Sequence, residues 1–487
     1  MLKQWIRRMQ QVEPTRLLVW GFGLLCLLSI CSAVASGYYF LVGIPLIVLT
    51  LYVAIVDFRS LFYLLLFCLP LSTEIVLPGG LGTDLPTEPL MIGLMLITLL
   101  FFISGNRLAE LRQFWHPITL FLLLHLSWIY LSSITSNLLL VSLKFSLAKT
   151  WYVAVFYFLA AYLLRDPRDQ RKFFWIIFLP LLFTVLVTMI RHANYGFSFV
   201  AVHKVLHPFQ RNHVNYAAML TLFMPFLWFA WRRQPRPSFR WWFLLFSIGI
   251  MLLAIYLSYT RAAYIALLAG VGAYFAFRLK TIRYLMATGI IVAVIGLAYM
   301  AQKNRYLKYA PDYDRTVTHY KFDNLVEATY KMEDISTMER LYRWVAGLKM
   351  SPEEPWVGFG PGNFVNFYRS YTVTRFETYV SDNPEQSGIH SYFLMTLVEQ
   401  GIVGLLLFLL FNFYLLIKGE QIYHETKDPV RKGIAMSAIL CLVIINVFLL
   451  INDLIETDKV GPFFFMSAAL LLNIDQRNRK ESTVLSS

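Results

Sequence analysis

Apolar stretches long enough to cross a bilayer recur fourteen times along the chain. They lie near 17–35, 38–56, 60–77, 88–104, 117–135, 147–164, 173–190, 215–231, 241–258, 262–277, 284–301, 391–417, 433–451 and 460–474. About 20 apolar residues span the hydrocarbon core as a helix, so the pattern predicts an all-α, polytopic integral membrane protein. Several stretches are short, and Pro70 and Pro462 interrupt two of them, which sets the expectation at 12–14 transmembrane helices with one large loop. Composition agrees: 58% of the 487 residues are hydrophobic and 15% charged, where soluble domains have about 45–50% and about 25%. Disordered, collagenous and disulfide-stapled classes are excluded.

A net charge of +14 would suggest nucleic acid in a soluble protein. Its placement points elsewhere. With the N-terminus inside, the inner connections hold 25 of the 43 Lys and Arg, and the short outer connections hold seven. This is the positive-inside bias, and it predicts cytoplasmic termini, with a bilayer and no nucleic acid as partner. The basic start (Lys3, Arg7, Arg8, Arg16) and Ala33-Val34-Ala35 resemble a secretory signal. Further apolar stretches follow at once, so the first helix is expected to be kept. Cys26, Cys31, Cys68 and Cys441 lie in apolar runs without metal or disulfide spacing, and are expected to be small buried hydrophobes.

The chain divides into N-terminal transmembrane helices (1–190), transmembrane helices with outer arginine segments (191–301), a large outer loop (302–389), and C-terminal helices with an inner tail (390–487). In the loop, Ser336-Thr337-Met338-Glu339 reads as a capping box. Leu341, Trp344, Val345 and Leu348 then predict a helix over about 336–349. The stretch PEEPWVGFGPGNF ends it, with Gly358, Gly360 and Gly362 as turn residues; no strand–loop–helix unit makes them a phosphate loop.

Three positions point to chemistry. Arg261 interrupts an apolar run at LSYTRAAYIALL, where two close helices turn at the outer face. An ionisable group at the membrane boundary is a functional candidate. Arg211, in QRNHVNYAAML, precedes a span on the same side with Asn212, His213, Asn215 and Tyr216 beside it. An arginine at a helix N-terminus reinforces the positive dipole end, and guanidinium forks suit phosphate oxygens. His390 stands at the outer mouth of a span and can serve as a general base. Glu399, nine residues on, is expected to pair with a buried cation or polar helix neighbour. The weaker signals are His203 and His207 at zinc-compatible spacing, and Asp312-Tyr313-Asp314, similar to a metal–nucleotide-sugar motif but on the outside. No metal site is assigned to them.

Four segments in order resemble the O-antigen ligase and polymerase family of bacterial inner-membrane glycan transferases. They are Arg211-Asn212-His213-Val214-Asn215, Ser258-Tyr259-Thr260-Arg261, the loop ending in PWVGFGPGNF, and His390-Ser391 followed by Glu399-Gln400-Gly401 and Gly404. The similarity covers roughly 190–420. It implies a GT-C-like membrane glycosyltransferase fold in the bacterial inner membrane, with its active site facing the periplasm and a role in lipopolysaccharide biosynthesis. The implied reaction moves a glycan from an undecaprenyl-diphosphate carrier to a lipid A–core or similar acceptor, by inversion and without metal or other cofactor. Arg211 and Arg261 would bind the diphosphate, with Asn212, Asn215, Tyr259 and Arg340 as further substrate-binding residues. His390 would contact or deprotonate the acceptor hydroxyl. A polymerase extending lipid-linked repeats shares this donor chemistry and is the alternative. A lipid-linked sugar flippase would carry charges mid-membrane and often internal repeats, whereas these cations cluster at the outer face.

Overall fold

The computed structural model describes residues 14–76, 82–103, 111–302, 335–377, 381–383 and 386–486. Asp312-Tyr313-Asp314 lies outside them. The chain forms two units, Met1–Leu64 and Leu65–Ser487. The first holds α1 (Pro14–Ser36), α2 (Ile44–Val56) and the start of α3 (Phe58–Cys68). Its apolar side chains face outward, Trp20 and Val34 among them, as suits helices surrounded by acyl chains.

The second unit is built on long helices whose starts are marked in the sequence. They are α4 (Thr87–Ile103), α5 (Pro117–Ile134), α6 (Leu139–Leu163), α7 (Pro167–Ala193), α8 (His213–Arg232), α9 (Phe239–Leu257), α10 (Arg261–Arg278) and α11 (Ile282–Ala301). After the large loop with its own helix α12 (Ile335–Met350) come α13 (Tyr392–Glu425), α14 (Pro429–Ile451) and α15 (Gly461–Ser486). Proline occupies the first turn of α5, α7 and α14, where its missing N–H costs nothing. Asn212, Ser238 and Asp428 cap α8, α9 and α14 through their side chains, at 2.9, 3.2 and 2.8 Å.

Eight helices are long and apolar enough to cross a membrane: the apolar part of α1, and α5, α6, α7, α8, α9, α13 and α14. Four shorter apolar helices accompany them: Leu41–Ala54, Phe58–Cys68, Thr87–Ile103 and Ile282–Gly296. The count of full-length spans among the described residues is thus below the 12–14 expected. At about 1.5 Å per residue, a helix of 10–17 residues reaches about 15–26 Å, short of the ~30 Å core. α10 is flanked by arginines and rich in Ala and Gly, which lowers its apolar character.

α14 is the central post of this unit and packs on α8, α10, α13 and α15. Ala263, Ala266, Gly270 and Ala273 are small and inward-facing on α10, and Ile444 of α14 fills the space a Cβ at Gly270 would take. Close approach through small residues is how helices associate where lipid is as apolar as leucine. Between α3 and α4, Thr73–Val76 (β1) and Gly82–Leu85 (β2) pair antiparallel, with Glu74 opposite Asp84. This hairpin is an addition to the all-helical expectation. Of the cysteines, Cys441 alone is fully buried and Cys31 is exposed; the expectation of burial fails because an apolar side chain of a membrane helix can face lipid instead of core.

Candidate functional site

The site rests on a broken helix. α13 carries one non-helical residue, Gly401, at φ 68 and ψ −175. Here the PWVGFGPGNF loop enters and takes up the main-chain groups that the break releases. Phe359 N–H donates to the Val398 carbonyl (3.0 Å), Gly360 N–H to that of Glu399 (2.9 Å), and Ile402 N–H to that of Pro355 (2.8 Å). From α5, Trp128 Nε1–H donates to the Gln400 carbonyl (2.8 Å) and Ser132 Oγ–H to that of Glu399 (3.1 Å). The Glu399 carboxylate accepts the N–H groups of Gly362 (2.8 Å) and Phe364 (3.0 Å). Non-helical backbone at membrane depth persists only where it is buried in protein with its polar groups satisfied. Glu399 therefore pairs with loop amides, not with the cation or polar helix neighbour expected. Gly358 lies against the Glu399–Gln400 backbone and Gly401 against the Trp356–Val357 backbone, and a Cβ at either would overlap those main-chain atoms.

The same junction fixes the mouth of α13. Tyr392 N–H donates to the Asn452 carbonyl (3.2 Å), and His390 just before it sits in the left-handed region at φ 57. Arg343 of α12 reaches across to it. Its Nη1 donates to His390 Nε2 (2.9 Å), Ser387 Oγ (2.7 Å) and the Gly388 carbonyl (2.9 Å), and its Nη2 to Glu339 Oε2 (3.3 Å). A guanidinium only donates, so Nε2 is the acceptor and the His390 proton resides on Nδ1. Burial, then Arg343 and Arg340, push the imidazole down to about 3. His390 is neutral at physiological pH. Glu339 is committed to Arg343 and Ser381 (2.8 Å), and α12 already begins at Ile335. The expected capping box is thus not formed: Ser336 Oγ instead accepts from Arg340 Nη1 (2.8 Å).

Arg340 joins two groups of residues. Its Nε donates to the Ile451 carbonyl at the end of α14 (3.2 Å), and its charge acts on both His390 and His213. Arg261 also acts on His213. The reason is local: Arg261 is the first residue of α10 and His213 the first of α8, and Thr260 Oγ–H donates to the His213 carbonyl (3.2 Å). Two helix N-termini therefore meet, each with first-turn N–H groups that have no intrahelical partner four residues back and with a positive dipole end. In the first turn of α8, Asn215 Oδ1 and Tyr216 Oη are buried with no hydrogen-bond partner among the described residues. Asp453 adds a carboxylate: it abuts Gly388 and feels Arg343 and Arg340, and burial raises its pKa.

The other residues singled out in the sequence are placed differently. Arg211 is largely exposed and pairs with Glu74 Oε2 of the hairpin (3.4 Å); the charges acting on His213 and His390 are Arg261, Arg340, Arg343 and His203. Asn212 spends its side chain on the α8 cap. Tyr259, at φ 52, donates its hydroxyl to the Phe197 carbonyl (2.7 Å) and rests edge-on to Phe199, holding the turn before Arg261. His203 packs on His213, and no group of three or more His, Cys, Asp or Glu among the described residues could hold a metal ion. Arg343 and Asp453 were missed. The only signal for Arg343 was its i,i+4 spacing from Glu339, which many solvent-exposed helices share.

No curated protein matches the chain. A family model described as O-antigen ligase matches residues 246–409, a stretch that takes in Arg261, α12, the glycine loop, His390 and the break at Gly401, and stops short of Arg211. The match covers 164 of the 487 residues, and over that segment, which builds the site, the chain is similar to the O-antigen ligase family.

Proposed function

We propose that the protein transfers a glycan from undecaprenyl diphosphate to a lipid A–core or similar acceptor hydroxyl at the periplasmic face of the bacterial inner membrane. The family match supports a glycan-transfer role of ligase or polymerase type, and the apolar helices support a multi-pass membrane protein. The observation that carries the finer reading is Arg340, whose charge reaches both the joined N-termini of α8 and α10, beside Arg261, and His390. A diphosphate is already a competent leaving group, so the enzyme's task is to offset the negative charge that grows as the anomeric bond breaks. Arg261, Arg340 and two helix N-termini supply that offset without a metal ion. The unpartnered Asn215 and Tyr216 suit sugar hydroxyls. Arg211 would join the diphosphate by leaving Glu74, an exposed pair worth little.

As held here, His390 offers Nδ1–H and keeps Nε2 on Arg343, so it orients the acceptor by hydrogen bonding. Taking the hydroxyl proton requires Arg343 to release Nε2. Attack then occurs opposite the diphosphate and inverts the anomeric centre. The test is reconstitution in liposomes with an undecaprenyl-diphosphate glycan and either a core acceptor or a second lipid-linked unit. Glycan on the core supports a ligase, and a longer lipid-linked chain the polymerase reading. Loss of product in chelator would count against the metal-free step, and no product with either acceptor would overturn the proposal.

A further inference from the structure

α8 is 20 residues long, so its two ends lie about 30 Å apart. Around the end away from His213 is a cavity of about 340 Å³, within the ~300–1,000 Å³ typical of small-ligand sites. Its walls are apolar and largely aromatic: Phe173 and Phe174 of α7, Phe226 and Phe229 of α8, and Ile434 of α14. Its rim carries three arginines, Arg171, Arg233 and Arg240, which are exposed. None has a carboxylate within ion-pair distance among the described residues, and Arg233 rests on the Phe229 ring at 5.8 Å. The nearest acid at the start of α14, Asp428, is already used by Arg431, whose N–H it caps (2.8 Å) and whose Nε it meets at 3.5 Å. Pro167, Arg240 and Val430 of the lining are also first-turn residues of α7, α9 and α14, so three positive helix ends face the same rim.

We propose that this cavity binds an anionic glycerophospholipid, with its phosphate on Arg171, Arg233 and Arg240 and the first part of an acyl chain between the phenylalanines. An apolar slot alone would take any lipid chain. A cationic rim with no carboxylate paired to it among the described residues selects phosphate-bearing headgroups without a balancing ammonium, and basic pockets between transmembrane helices are how such headgroups are recognised. Gln170 also lines the cavity, and its Oε1 is buried without a donor among the described residues, which suits a hydroxyl-bearing headgroup such as glycerol. The site is separate from the transfer site at the other end of α8 and does not depend on that assignment.

The test is native mass spectrometry of the full-length protein in detergent with dioleoyl phosphatidylglycerol, dioleoyl phosphatidylcholine and sn-glycerol 3-phosphate. The wild type should retain the glycerol lipid about tenfold over the choline lipid. R233Q/R240Q should bring that ratio close to one, and Ala230→Trp, which fills the slot, should lower retention of both lipids. Ala230→Leu replaces it should the tryptophan variant lose its monodisperse elution. Equal retention of the two lipids by the wild type, or an unchanged ratio in R233Q/R240Q, would overturn the proposal. So would displacement of the lipid by glycerol 3-phosphate at equal concentration, since that marks a phosphate patch with no acyl slot.

Discussion

Replacing Glu399 by alanine should release the glycine loop from the broken helix while leaving the helices in place. The carboxylate is the sole side-chain acceptor for the N–H groups of Gly362 and Phe364, at 2.8 and 3.0 Å. A buried donor left without its acceptor costs about 1–3 kcal/mol, so stranding two N–H groups destabilises the docked loop by about 3 kcal/mol. At about 1.4 kcal/mol per factor of ten, that is roughly a hundredfold in the opening equilibrium. Hydrogen-exchange mass spectrometry on peptides covering 356–366 reads this directly. E399A should lower protection there about a hundredfold, and E399Q, which keeps one acceptor oxygen, about tenfold. Peptides from α8 should not change, because none of its hydrogen bonds involves Glu399. The main-chain bonds of Phe359, Gly360 and Ile402 survive the substitution, so the protein should still be recovered folded. Unchanged protection of 356–366 in E399A would refute the role given to the carboxylate.

Two further outcomes follow from the charges. His390 is held neutral with its pKa pushed down to about 3, so the unfolded chain binds a proton below its ordinary value of about 6.5 that the folded chain refuses. This contribution to stability is complete above pH 6.5 and is lost as pH falls from there toward 3. The transfer rate should therefore show no His390 titration between pH 6 and 8, and Arg343→Gln, which removes the first charge and frees Nε2, should move the acid limb of the profile to higher pH than in the wild type while burial and Arg340 keep it below 6.5; identical profiles would contradict the Arg343–His390 bond. At the far end of the unit, Asp475 is fully buried and is met by His116 (2.8 Å), Lys418 (3.0 Å) and Arg479 (2.9 Å). Asp475→Ala should cost about 3–5 kcal/mol, seen as a lower midpoint of thermal unfolding in detergent, and an unchanged midpoint would show that the cluster carries no stability.

The helices were legible because crossing a membrane leaves a long apolar record, and each of the fourteen stretches holds a helix, although 60–77 runs past α3 into β1. Arg261 was legible for a related reason: a charge directly after a three-residue polar turn between two apolar runs sits at a helix start. The α12 helix, expected over 336–349 and found at Ile335–Met350, was readable from periodicity alone. The break at Gly401 was not. Residues 391–417 read as one continuous span, and nothing local shows that a loop 40 residues earlier supplies the missing main-chain partners. Glu399 announced only that a buried carboxylate needs partners, and amides carry no sequence signal. Arg343 was hidden because an ion pair with Glu339 explains it as well as a histidine partner does. Asn212 and Tyr259 show the reverse: polar residues beside Arg211 and Arg261 that serve the backbone as a cap and a turn anchor.

Neutralising the leaving diphosphate with Arg261 and Arg340 is tested most directly by the single-turnover rate of glycan transfer in liposomes, at saturating acceptor. Loss of one such charge contact in the transition state costs about 2.7–4 kcal/mol, or about a hundredfold to a thousandfold in rate. R261A and R340A should each fall by that amount, R261K should recover part of it, and expression and elution should match the wild type. Transfer by R261A at the wild-type rate would contradict the assignment of the joined α8 and α10 N-termini as the diphosphate site.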